Sequence, residues 1–173
     1  SNRSHVPLGN PDFTCVLRHS PDPKFSSQSS IMSRVSLPPS INALSRVSLH
    51  QILIPDNSEQ LSHHLVTLSD DQACDLILTT GGTGLAPTDI TPETTKAIID
   101  REIPGIAEAI RRKGLTITPH SMLSRGITGQ RKRTLIINLS GSPKAVTEQL
   151  EVIIPILHHA IETMRGDATD CAR

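Results

Sequence analysis

The chain has 173 residues, a length that suits one domain and can bury about 70% of its unfolded surface without staples. Lys plus Arg number 17, and Asp plus Glu also number 17, so there is no basic field for nucleic acid and any phosphate site must come from local geometry. Trp and Tyr are absent and the aromatics are Phe13 and Phe25, which leaves an aliphatic core and no platform for stacking bases.

The opening third, to about residue 50, carries twelve serines and two acids, Asp12 and Asp22. That composition fits a targeting leader, but Phe13 to Leu17 also reads as a first strand, the preferred reading. Pro38-Pro39 interrupts any long helix, and a short one over 40–47 is expected. From residue 48 the pattern sharpens. Leu49 to Ile54 is a strand, stopped by Pro55-Asp56-Asn57. Leu61, Leu65 and Leu68 then share one face of a helix over 58–72, capped by Asn57 or Ser58. Asp75 to Thr80 is an apolar strand of the kind covered on both faces. A glycine-rich loop follows. Thr91-Pro92 starts a helix to about Arg101, with Thr91 as cap. Pro104-Gly105 opens another that ends near Lys113. Thr134 to Leu139 is a second buried strand. Ser142-Pro143 leads a long amphipathic helix to about Met164.

This alternation predicts an α/β fold of three layers, a mostly parallel sheet covered by helices on both faces. One domain over 1–173 is expected, with 49–165 as its core and 1–48 weakly assigned. Cys15, Cys74 and Cys171 form no close pair, which suggests a reducing, cytoplasmic setting. No apolar run reaches the roughly 18 residues needed to cross a bilayer, so no membrane association is expected. His63-His64 and His158-His159 are adjacent on helices and do not make a chelating face.

Sheets of this kind bind ligands beyond the carboxyl ends of their strands. Two strands end there in glycine. Thr79-Thr80-Gly81-Gly82-Thr83-Gly84 combines three residues without Cβ with three hydroxyls, so backbone amides can approach an anion closely. Ser140-Gly141-Ser142-Pro143-Lys144 adds a helix start and a cation. Asp56 and Asp89 stand near strand ends; beside phosphates, carboxylates need an intervening cation such as Mg²⁺. Ser124-Arg125 is a further polar pair, in which Arg125 is either a phosphate clamp or a salt-bridge partner. Arg131-Lys132-Arg133 reads as a solvated strand approach.

At DLILTTGGTG (75–84), DITPE (89–93), Pro104-Gly105, ITPHSMLSR (117–125) and TLIINLSGSPK (134–144) the chain resembles the molybdopterin adenylyltransferases, a family that includes MogA, MoaB and the G domain of gephyrin. The resemblance covers roughly residues 52 to 165. It implies transfer of an adenylyl group from ATP to molybdopterin with Mg²⁺, and a homotrimer or hexamer. Asp56 and Asp89 match the family's two essential acids and its metal site. Thr80, Gly81, Gly82, Thr83, Gly84, Ser124, Ser142 and Lys144 match positions expected to bind substrate and nucleotide. The chain departs from the family pattern at Thr88 (usually Arg), Gly114 (often Ser) and Ser140 (usually Pro), and its first 48 residues lack the usual second motif. A non-catalytic molybdopterin-binding or scaffold protein of the same fold is the alternative that these departures keep open.

Overall fold

A computed structural model of the chain describes residues 13–20 and 48–166, with side chains from Gln51 onward. In chain order the elements are β1 (Phe13–Ser20), β2 (Ser48–Pro55), α1 (Ser58–Asp70), β3 (Leu76–Thr80), α2 (Thr91–Ile98), β4 (Arg101–Glu102), α3 (Pro104–Leu115), a 3-10 turn (Pro119–Leu123), β5 (Thr128–Arg131), β6 (Thr134–Leu139) and α4 (Pro143–Arg165). The helix expected over 40–47 lies outside the described residues.

The strands form one six-stranded sheet in the order β2-β1-β3-β6-β5-β4. Strands β2, β1, β3 and β6 run parallel to their neighbours, whereas β5 and β4 join as antiparallel strands. The mostly parallel sheet is therefore mixed. The two antiparallel strands escaped the sequence because β4 has two exposed residues and β5 (TGQR) lacks apolar alternation. Gly129 sits in β5 because a Cβ there would meet Ile99 Cδ1 at 2.5 Å and Arg101 O at 2.9 Å. The helix expected to reach about Arg101 stops at Ile98, where Ile99 turns extended, and the chain passes into the edge strand.

Alternation along the central strands builds the layers. Leu76 and Leu78 of β3 and Leu135, Ile137 and Leu139 of β6 pack against Ile110 of α3 and Val146, Leu150, Ile153 and Leu157 of α4. Ile77 and Ile136 face the other way, onto Leu61, Leu65 and Leu68 of α1 and the partly buried Ile98 and Ile99. Asn57 caps α1, its Oδ1 accepting the Gln60 amide at 2.9 Å.

Two bidentate ion pairs fasten the helix ends to the sheet. Arg165, at the end of α4, donates to both carboxylate oxygens of Asp75 at 2.9 and 2.5 Å. Arg131 donates to both oxygens of Asp70 at 2.9 and 2.6 Å and to Ile98 O at 2.7 Å. Arg131 is thus not the solvated residue its basic run suggested; it joins α1, α2 and β5, and its side chain is 20% exposed. The Arg131 hydrogen bonds hold the Asp70 carboxyl below its ordinary value, against the opposing effect of desolvation, and Lys132 adds to the lowering. A carboxyl with a lowered folded value stabilises the fold above the unfolded value, near 3.8, and that contribution is lost as pH falls through the folded value. Asp70→Asn is expected to be less stable at neutral pH and to lose less stability on acidification below about pH 4. Urea unfolding at a series of pH values checks this, and superimposable pH curves for the two proteins would rule it out.

Candidate functional site

The chain leaves β3 through a turn that requires glycine. Gly81 and Gly82 have φ of +96° and +64°, a region costly for residues with a Cβ. Thr91 closes the turn: its amide donates to Gly82 O and its hydroxyl to Gly81 O, each at 3.1 Å. A Cβ on Gly82 would overlap that hydroxyl. The expected N-cap role of Thr91 is therefore corrected. Ile90 holds the cap position without a capping side chain, and the Thr91 hydroxyl reaches back to the loop instead. Beneath the turn, the Asn138 amide nitrogen donates to Thr79 Oγ1 at 2.9 Å and Thr95 Oγ1 at 3.0 Å, and its Oδ1 accepts the Ile127 amide.

The second glycine turn, after β6, lies directly alongside. Gly81 N donates to Leu139 O at 3.1 Å, and a Cβ on Gly141 would stand 3.3 Å from Gly81 Cα. Gln149 of α4 grips Ser140 twice, accepting its amide at 2.9 Å and donating to its hydroxyl at 2.7 Å. Ser142 occupies the N-cap of α4 but makes no capping hydrogen bond, so the first-turn amides of that helix keep their capacity for an anion. The Gly81 amide is committed to Leu139. Those of Gly82, Thr83 and Gly84 have no hydrogen-bond partner among the described residues. Consecutive unpaired amides of this kind form an anion-binding concavity.

A cavity of about 610 Å³ opens between the two turns, with α3 and the 3-10 turn as its far wall. Gly81, Gly82, Thr83, Gly84, Asp89, Ser124 and Ser142, singled out from the sequence, all line it. Asp89 is held by a reciprocal pair: Ala86 N donates to its Oδ2, and its own amide to Ala86 O, each at 2.9 Å. A Cβ on Gly84 would come within 2.8 Å of Asp89 Oδ2, so the carboxylate lies against the glycine loop.

Three sequence candidates fall outside the lining. Thr80 ends β3, in register with Leu139. Lys144 is exposed on the first turn of α4. Asp56 is exposed beyond β2, an edge strand separated from β3 by β1. The two acids expected to face one pocket mouth are therefore not both among its lining residues. Lys113, His120 and Glu148 do line the cavity and were not singled out. Lys113 and Glu148 lie on helices outside the motif stretches, and His120 lies within ITPHSMLSR (117–125) without a sign of its own; the fold brings all three to the site. Asn138 had a readable signal, an amide inside the otherwise apolar strand TLIINL, where a buried polar group demands partners.

Substitution at Gly82 should separate conformational need from mere smallness. Gly82→Ala is expected to cost about 1–3 kcal/mol of stability, through its φ and the Thr91 overlap. Gly105→Ala, with open space around the new Cβ, is expected to be neutral or stabilising by up to about 1 kcal/mol. Chemical denaturation of the two variants decides; equal effects would remove the assigned role of the turn.

The geometry agrees with the chain's relatives. Residues 40–159 match the family model described as a probable molybdopterin binding domain. A molybdopterin adenylyltransferase of Helicobacter pylori is 37% identical over 72% of this chain and 70% of its own length. One from Haemophilus influenzae is 48% identical over 57% of this chain, which spans half of that relative. Among solved structures, MoaB from Thermus thermophilus superposes with a TM-score of 0.73 at 39% identity, covering 90% of this chain and 97% of that one. The Mog protein of Mycobacterium ulcerans gives 0.76 at 35% identity, covering 91% and 99%. A six-stranded α/β sheet, two apposed glycine turns and these matches together place the chain in the molybdopterin binding domain family, alongside the molybdopterin adenylyltransferases.

Proposed function

We propose that the chain transfers an adenylyl group from ATP to molybdopterin, a step of molybdenum cofactor biosynthesis. The observation that carries this is the run of unpaired amides from Gly82 to Gly84 facing the N-terminus of α4 across one cavity, with Asp89 at its edge. In an otherwise neutral chain, that arrangement supplies two sets of oriented donors for phosphates. Relatives named for this activity are 37% and 48% identical to this chain over the stretches they match.

In the reaction a phosphate oxygen of molybdopterin forms a bond to the α-phosphorus of ATP. The bond from that phosphorus to the bridging oxygen breaks, and pyrophosphate leaves. The glycine-loop amides and the α4 amides would hold the two phosphate groups in line, and fixed dipoles of this kind stabilise charge without reorganising. Lys113, on the far wall, offers a cation to the remaining phosphates, and His120 offers a ring nitrogen as a hydrogen-bond donor. Thr80 and Lys144 would contribute from the margin of the two turns.

Mg²⁺ prefers one or two carboxylates combined with phosphate oxygens and water. Asp89 fits that mode: its Oδ2 is occupied by the Ala86 amide, and its Oδ1 takes no hydrogen bond among the described residues. Among those residues no cluster of three or more His, Cys, Asp or Glu forms an all-protein cage, which this mode does not need. Held there, the ion would neutralise charge on the transferring phosphates.

A second reading, molybdopterin binding without turnover, is favoured by one observation: Asp56 stands outside the cavity lining. Asp89→Asn is expected to fold normally and to lose about 10²-fold in turnover, the size of one main electrostatic contact. The wild-type rate in Asp89→Asn would remove the metal role. Absence of turnover in the wild-type chain, with molybdopterin still bound, would establish the second reading. The same assay on Asp56→Asn reads whether the end of β2 joins the site.

We further propose a homotrimer in the cytoplasm. The exposed Leu115, Ile117, Met122 and Leu123, near the cavity, form an apolar surface that assembly would cover. Light scattering at micromolar concentration is expected to give three times the chain mass, and a monomer would refute the assembly.

A further inference from the structure

The Arg125 side chain ties together the two ends of the 84–89 turn in the loop between β3 and α2. Its Nε donates to Gly84 O at 2.6 Å, and one terminal nitrogen donates to Asp89 O at 2.6 Å. The other terminal nitrogen pairs with Glu93 of α2, and the Arg125 amide donates to Thr83 O at 2.9 Å. Its donors thus go to the protein, and the phosphate-clamp role open to it in the sequence has no geometric support.

The acceptors it chooses are informative. Gly84 O and Asp89 O mark the two ends of one turn, and a single planar guanidinium fixes the distance between them. With Thr83 O also held, the carbonyls on this side of the loop point toward Arg125, away from the cavity side that Gly82, Thr83 and Gly84 line. The Asp89 side chain, bound to Ala86 N within the same turn, is carried along with it. The loop has few other ties of its own. Residues 85–88 are exposed, and among the described residues their one backbone–backbone hydrogen bond is from Asp89 N to Ala86 O.

We propose that Arg125 is the positioning residue of the site: it closes the 84–89 turn so that the Asp89 carboxylate and the glycine-loop amides meet the substrate phosphates in fixed register. The inference rests on the adenylyl-transfer reading for its kinetic consequence, but the loop closure itself is a property of the unliganded chain. Lysine cannot replace it, because an ammonium has neither the fork nor the reach to bond two carbonyls and a carboxylate together.

The test compares Arg125→Lys and Arg125→Ala with the wild-type chain in three measurements. Amide hydrogen exchange without ligand is expected to accelerate in both variants at residues 83–90 and to stay unchanged in β3 and β6. Isothermal titration calorimetry with ATP and Mg²⁺ is expected to show affinity weakened about tenfold, the scale of a preorganisation loss of roughly 1.4 kcal/mol. Steady-state adenylylation is expected to lose about 10²-fold in kcat, the cost of a small misplacement of reacting groups, with KM for molybdopterin within about threefold. Unchanged exchange over 83–90 in both variants overturns the loop closure. Accelerated exchange with wild-type kcat and wild-type ATP affinity shows a merely structural tie and overturns the positioning role. If the wild-type chain neither binds ATP nor turns over, the functional reading fails instead, and the exchange arm alone still decides whether Arg125 closes the turn. Should Arg125→Ala not fold, Arg125→Lys, which keeps the charge and the stem, carries all three measurements.

Discussion

The left-handed turn at Gly81 and Gly82 is the constraint around which the rest of the site is arranged. A central parallel strand must pass its chain to a helix on the sheet's face, and here it does so within two residues of positive φ. Such a turn exposes carbonyls that need partners and leaves amides without them. Thr91 takes the Gly81 and Gly82 carbonyls, and Arg125 takes those of Gly84 and Asp89. The amides of Gly82 to Gly84 remain, side by side, facing the start of α4. The glycine requirement and the anion site are thus one feature: the conformation that only glycine tolerates also lines up the donors.

The buried side-chain hydrogen bonds serve the same end. Asn138 joins Thr79, Thr95 and the Ile127 amide, so β3, β6, α2 and the approach to β5 share one polar knot within an apolar core. Networks of this kind are worthwhile only when fully satisfied, because low dielectric raises the cost of each missing partner. Gln149 does the equivalent for the second turn by saturating Ser140. Both glycine turns are therefore rigid at their bases and open at their rims, the condition for binding a charged group without reorganisation.

The parts of this arrangement that the sequence disclosed share a cause. The sequence shows β6 with its bounds and β3 within one residue, because LILTT and TLIINL each have an apolar run and are followed by glycine- or serine-containing turns. The helices with regular leucine or isoleucine spacing, α1 and α4, were read to within two residues at each end. The antiparallel edge was hidden: two exposed residues and a four-residue strand containing glycine carry no period, and only pairing with β6 makes them a sheet. In the site, residues that act through their own backbone were legible, since glycine and N-cap chemistry is local. Arg125 was visible as a residue but not as a clasp, because its acceptors lie 32 to 41 positions away. Lys113 and Glu148 reach the cavity from α3 and α4 with no motif around them, and His120 reaches it from a motif stretch, 117–125, in which nothing singles out that side chain.

The placement of charge gives the last step. A chain with equal numbers of acidic and basic residues provides no long-range attraction for a polyphosphate, so the cavity must discriminate at contact distance. Its cation, Lys113, is on the far wall, together with His120; its acids, Asp89 and Glu148, lie on the side of the two turns. A carboxylate beside oriented amides is unfavourable for a bare phosphate, so Asp89 lowers affinity for an anion arriving alone. In the proposed metal role it would raise affinity for an anion arriving with a divalent cation, because the ion would satisfy carboxylate and phosphate together. On the proposed reading, the site geometry would favour a metal-complexed nucleotide over free phosphate. That preference depends on the carboxylate staying against Gly84, which has no Cβ to push it aside and whose carbonyl is fixed from behind by Arg125.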